Sequence, residues 1–175
     1  MMDEYLSTNR MLMLRIIGAR ITDAVRLLDH DSAEDLRTEW GPVVLTFGDG
    51  EQVILDVEEA KSNLMLRDAH SIPPTSAWYA GFHIRAKIIE PVASDPLGFL
   101  LTEQVVGVEV ISREPDPGVP DSFAMCGMRI KTESGHQVCI GTHLTDLLIP
   151  EVAFFLPEDV DPELQYRALH GDEHI

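Results

Sequence analysis

The chain has 175 residues, 45% of them hydrophobic and 25% charged. It can bury enough apolar surface to offset the entropy of ordering it, which excludes wholesale disorder and predicts one domain spanning residues 1–175. Its apolar runs are far shorter than the ~18 residues of a membrane span, and no basic segment followed by an apolar one opens the chain, so a non-membrane, cytoplasmic protein is expected. The 30 Asp and Glu outnumber the 13 Lys and Arg, for a net charge of −17; with no basic cluster to neutralise phosphates, nucleic-acid binding is not expected.

The acidity is uneven. Residues 1–88 hold 14 acidic and 9 basic side chains, and residues 89–175 hold 16 and 4. A partner attracted by charge would therefore meet the second half, although net charge also serves solubility.

In chain order, Met11, Leu12, Ile16 and Ile17 predict a short helix stopped by Gly18. Residues 16–28 fit two patterns. Ile17, Ile21, Ala24, Val25 and Leu28 could form a helical stripe, but the comparison with residues 108–113 favours a strand over residues 19–28. Residues 29–38 read as a loop. Val43, Leu45 and Phe47 alternate, a Gly48-Asp49-Gly50 corner follows, and Val53, Leu55 and Val57 alternate again. A three-residue loop with Gly50 left-handed pairs Leu45 with Val53 and Val43 with Leu55, keeping the bulky residues on one face.

Pro73 and Pro74 mark another loop. Trp78, Ala80, Phe82, Ile84, Ala86 and Ile88 then alternate with Tyr79, His83, Arg85 and Lys87, predicting a strand whose polar face carries the chain's one basic stripe. Leu100 and Leu101 suggest a second helix ending at Gly107, followed by a strand over residues 108–113 and a Pro-rich loop over 114–121. A second hairpin sets Cys126, Met128 and Ile130 against Val138, Ile140 and Thr142 across Glu133-Ser134-Gly135. Asp161 as a cap, with Pro162 and Glu163 in the first turn, predicts a terminal helix over residues 162–169.

The two hairpins repeat at an offset of 85, and Met11 to Gly18 match Leu100 to Gly107 at 89. Such self-similarity predicts an internal duplication of approximately residues 6–90 and 95–170. The expected class is α+β: an antiparallel sheet or partly open barrel from two similar αβββ halves, helices on one side.

Candidate chemistry is sparse. The hairpin register places Cys126 inward and Cys139 outward beside Arg129, so free thiols on opposite sides of the sheet are expected, with no metal site. Cys139, Thr142, His143, Thr145 and Asp146 gather reactive groups, but Cys139 and His143 would lie roughly 13 Å apart on an extended strand, too far for a nucleophile and its base. Thr142 and Asp146 suit turn formation better. His170 and His174 belong to a solvated tail. Phosphate-cradling, dinucleotide, nucleophile-elbow and zinc-protease motifs are missing, so neither catalytic residues nor a cofactor is expected.

The stretch Met128, Arg129, Ile130, Lys131, Thr132, Glu133, Ser134, Gly135, with Val138, Cys139, Ile140, Gly141, Thr142 and then Leu144, Thr145, Asp146, resembles small bacterial proteins that include the immunity type of toxin systems. The resemblance covers about a quarter of the chain. It implies a non-enzymatic, cytoplasmic binding protein, and it transfers no site residue.

Acidity makes a basic protein the expected partner, a basic toxin or enzyme to be inhibited being one form, with Glu114, Asp116, Asp121, Glu158, Asp159, Asp161 and Glu163 as candidate contacts. The alternative is a small-molecule-binding or self-associating protein using Tyr79, His83, Arg85 and Lys87, and unpaired sheet edges leave a homodimer open.

Overall fold

The computed structural model describes residues 2–28, 41–58, 60–69, 85–90, 96–144 and 150–169. Helix α1 (Met2–Ile16) precedes strands β1 (Ile21–Leu28), β2 (Val43–Phe47), β3 (Gln52–Glu58), β4 (Asn63–Asp68) and β5 (Arg85–Ile88). Helix α2 (Pro96–Thr102) precedes β6 (Val105–Ser112), β7 (Gly127–Thr132), β8 (Gln137–Leu144), β9 (Pro150–Phe155) and β10 (Gln165–Ala168). The strands form two five-stranded antiparallel sheets, ordered β4-β3-β2-β1-β5 and β10-β6-β7-β8-β9. The class is α+β with mainly sheet, and the sheets do not close into a barrel.

Alternation puts Val43, Leu45, Val53 and Leu55 of the first sheet and Met128, Ile130, Val138 and Ile140 of the second into one buried cluster. Leu12, Met13 and Ile16 of α1 and Leu97 and Leu100 of α2 complete it. The expected common side for the helices is replaced by two seats. α1 lies against β4 and β6, whereas α2 lies against β1 and the β7–β9 end of the other sheet, so each helix touches both sheets.

Adding five to each strand number converts the first strand order into the second read backwards. The agreement reaches single hydrogen bonds. The Phe47 amide donates to Glu51 O at 2.9 Å and the Thr132 amide to His136 O at 3.0 Å, with Gly50 and Gly135 at φ 88 and 87°. The expected pairings of Leu45 with Val53 and Val43 with Leu55 are present. Ladder irregularities fall between Ile21 and Asp23 and between Val105 and Gly107. The start of β1 meets the start of β6 through an antiparallel bridge, Arg20 to Gln104.

Further expectations change. Each half builds its own five-stranded sheet, where one sheet or partly open barrel with three strands per half was expected. Upstream, the geometric offset is 84 rather than 89: Ile16 corresponds to Leu100 and Ile21 to Val105, so Gly107 lies within β6 and does not stop α2. Pro96 opens that helix, and β-branched Val105, Val106, Val108 and Val110 suit the strand. Residues 162–169 are not a helix. Asp161 Oδ1 does accept the Glu163 amide at 2.9 Å, as a cap would, but after one turn the free edge of β6 captures Gln165 to Ala168 in a ladder.

The basic stripe also changes. Ile88 pairs with Val25 and is 61% exposed, while Lys87 sits beside buried Arg26; directly paired residues share a face, so Lys87 belongs to the inward side. Tyr79 and His83 lie outside the described residues, as do 29–38, 73–74, 145–146 and His170 and His174.

Candidate functional site

The outer face of the second sheet carries a cavity of about 270 Å³. The β7–β8 register sets Arg129 beside Cys139 and therefore Gly127 beside Gly141. Two facing glycines leave the backbone bare. A Cβ on Gly127 would come 2.7 Å from Ile140 O, and one on Gly141 3.0 Å from Cys126 O, so the strands approach where side chains do not fit. Gly141 forms part of the cavity floor, and Phe123, Phe155, Val160 and Leu164 supply apolar walls. On the first sheet the matching outer face is closed by Leu27, Val44 and Ile54 packed together.

Left-handed backbone concentrates here. Ser62, Asp121 and Phe123 are the non-glycine residues at positive φ among the described residues, at 52, 67 and 55°. Such conformations cost of order 1–3 kcal/mol for a residue with a Cβ and persist only where neighbours fix them. The fixing bonds are present. The Phe123 amide donates to Lys61 O at 2.9 Å, Asn63 Nδ2 to Asp121 O at 2.9 Å, and Thr142 Oγ1 to Ser62 O at 3.3 Å. Together they clamp the β6–β7 loop to the β3–β4 turn and hold Phe123 at the cavity wall. Arg113 lies over the Phe123 ring, 3.6 Å from its centroid, and pairs with Asp116 at 3.0 Å.

Cys126 and Cys139 are free, buried and on the same outer side, both lining the cavity, which corrects the expectation of opposite faces. The two-residue repeat breaks just before β7: Met125 turns into the core and Cys126 turns out, its Sγ donating to Ile111 O at 3.4 Å. Burial pushes both thiols up to about 11. A nucleophilic cysteine needs the opposite, a pKa lowered by nearby positive charge.

Asp159 and Asp161 line the cavity, on the chain that follows β9 and covers it. Glu158 and Glu163 are exposed on the same segment, and Glu114, Asp116 and half-buried Asp121 lie on the β6–β7 loop, which lines the cavity through Arg113, Phe123 and Cys126. Among the described residues no cation pairs with Asp159 or Asp161, and Arg113 with Asp116 is the ion pair in these two loops. Of the seven acidic candidates the structure places Asp159 and Asp161 in the cavity lining, whereas Glu114, Asp116, Asp121, Glu158 and Glu163 are not lining residues. It does not bring Lys87 there.

Sequence reading missed Phe123, Ser62 and the cysteine pair as wall residues. One signal was available: the register that pairs Arg129 with Cys139 already pairs Gly127 with Gly141. Elsewhere, Glu103 and His136 meet at 2.8 Å, with the His136 ring stacked on Phe99, and join the end of α2 to the β7–β8 corner. No family model, curated protein or solved structure matches the chain.

Proposed function

We propose that this is a non-enzymatic protein-binding module whose second half receives a basic partner, an inhibitor of a basic toxin or enzyme being the form that the acidity and the immunity-type resemblance suit. The observation that carries the reading is an apolar hollow with Asp159 and Asp161 in its lining and no cation paired with either among the described residues. Asp159 and Asp161 beside an apolar centre match the usual interface anatomy, a desolvated anchor region with a polar rim. A second copy of this chain is a poor occupant, because two surfaces of one strongly acidic protein repel.

The test is retention of partners from native lysate on immobilised protein, at about 50 and about 300 mM salt, where the Debye length falls from roughly 14 to 6 Å. The wild type should retain a basic protein that the higher salt releases, and Asp159→Asn with Asp161→Asn should not retain it. Retention that is identical for the two proteins, or indifferent to salt, refutes the reading.

A further inference from the structure

The geometry points to a specific occupant for the hollow: an aromatic side chain of a protein segment, flanked by lysine or arginine. This rests on the binding-module reading and specifies its anchor. The shape of the hollow comes from its walls. Gly141 adds no side chain to a lining otherwise made by Ile111, Cys126 and Cys139, and Phe123 and Phe155 stand beside them. A planar ring entering there meets ring edges and thiol sulfur, arrangements that favour aromatic over aliphatic guests. The available volume suits one large side chain.

The flanking charge comes from the rim. Asp159 and Asp161 open onto the cavity with no cation beside them among the described residues, and Glu158 is near enough to act on the Cys139 thiol. The internal cation of the site, Arg113, is already taken up by Asp116 and by the Phe123 ring, so it does not neutralise the opposite wall. An incoming ammonium or guanidinium next to the inserted ring supplies what that wall lacks. Aromatic residues and arginine together are also the side chains that most often anchor protein interfaces.

Three pentapeptides test this: Lys-Lys-Trp-Lys-Lys, Lys-Lys-Ala-Lys-Lys and Glu-Glu-Trp-Glu-Glu, titrated into the full chain while the methyl resonances of Ile111, Val160 and Leu164 are followed. The basic Trp peptide should bind roughly tenfold to a hundredfold more tightly than the Ala peptide and shift all three methyls. Val160→Trp or Leu164→Trp, each on the half-buried covering segment, should fill the hollow and bring the two basic peptides to equal affinity. Circular dichroism identifies whichever of these variants keeps the fold.

Equal affinities for the Trp and Ala peptides in the wild type would overturn the anchor while leaving an acidic docking face intact. Equal affinities for the basic and acidic Trp peptides would overturn the flanking charge, and the binding-module reading with it. Free indole binding as tightly as the basic Trp peptide would overturn the protein-segment occupant in favour of a small molecule.

Discussion

Two cysteines set an upper pH limit on the molecule. Their folded values of about 11 lie above the ordinary thiol value of 9.0, because burial disfavours the thiolate. The unfolded chain ionises first, so this contribution is whole below about pH 9 and is lost as pH rises toward 11. Urea midpoints should therefore hold steady up to about pH 9 and then fall, and the double variant Cys126→Ala with Cys139→Ala should lose part of that slope. Native thiols should also resist iodoacetamide at pH 8 and react at once in urea; alkylation of the native protein at the free-thiol rate would contradict the burial. Glu109 acts at the other limit. The hydrogen bond from Arg129 Nε, 2.6 Å away, holds its carboxyl below the usual range, and Arg129 in turn lies over Tyr166. Its contribution is present above the ordinary carboxylate value and is lost as pH falls through the lower folded one. Glu109→Gln should cost about 1 kcal/mol at pH 7, and that gap should close in titrations carried below pH 4.

At the scale of elements, glycines divide into two kinds. Gly135 needs its left-handed φ of 87° but has open space where a Cβ would stand; Gly127 has no such φ, and its Cβ would strike Ile140 O. Chemical denaturation should find Gly135→Ala costing about 1 kcal/mol and Gly127→Ala about 3 kcal/mol, since there two strand backbones must separate; the reverse order would mean that the sheet yields between Gly127 and Ile140. Both hairpins were legible because alternation and a glycine corner together admit one register. The last strand was not. Asp161, Pro162 and Glu163 carry true start signals for a helix, and they do make one turn, but local signals are silent about the unfilled edge of β6, some 50 positions earlier. Gly107 misled for the same reason: a glycine at a ladder irregularity looks, in sequence, like one that ends a helix.

Across the whole molecule, Arg26 joins the sheets. Fully buried on β1, it donates from Nη1 to Gly41 O and from Nη2 to Val152 O, each at 2.7 Å, and Val152 belongs to the far edge of the other sheet. Arg26→Met keeps the stem and strands both carbonyls, so it should cost about 2–4 kcal/mol. A melting temperature lowered by several degrees checks this, and an unchanged one would show that water replaces the guanidinium. No sequence rule marked this residue: an arginine between Val25 and Leu27 reads as the solvent side of a strand, and only the neighbouring sheet makes it internal. The acidic loops show the converse. Their charge was plain in the composition, whereas the hollow that Asp159 and Asp161 line depends on β6, β8 and the covering segment arriving together.

Because one interior is built from both sheets, order of synthesis matters. The amino-terminal sheet leaves the ribosome with its oily surface bare, and roughly 85 further residues take about 4–17 s at ~5–20 residues per second. Hairpins close in about 1–10 μs, so a half-finished, adhesive ribbon waits for its counterpart over that interval. Nascent chains stalled near residue 90 should accordingly recruit holdase chaperones that released, full-length chains ignore.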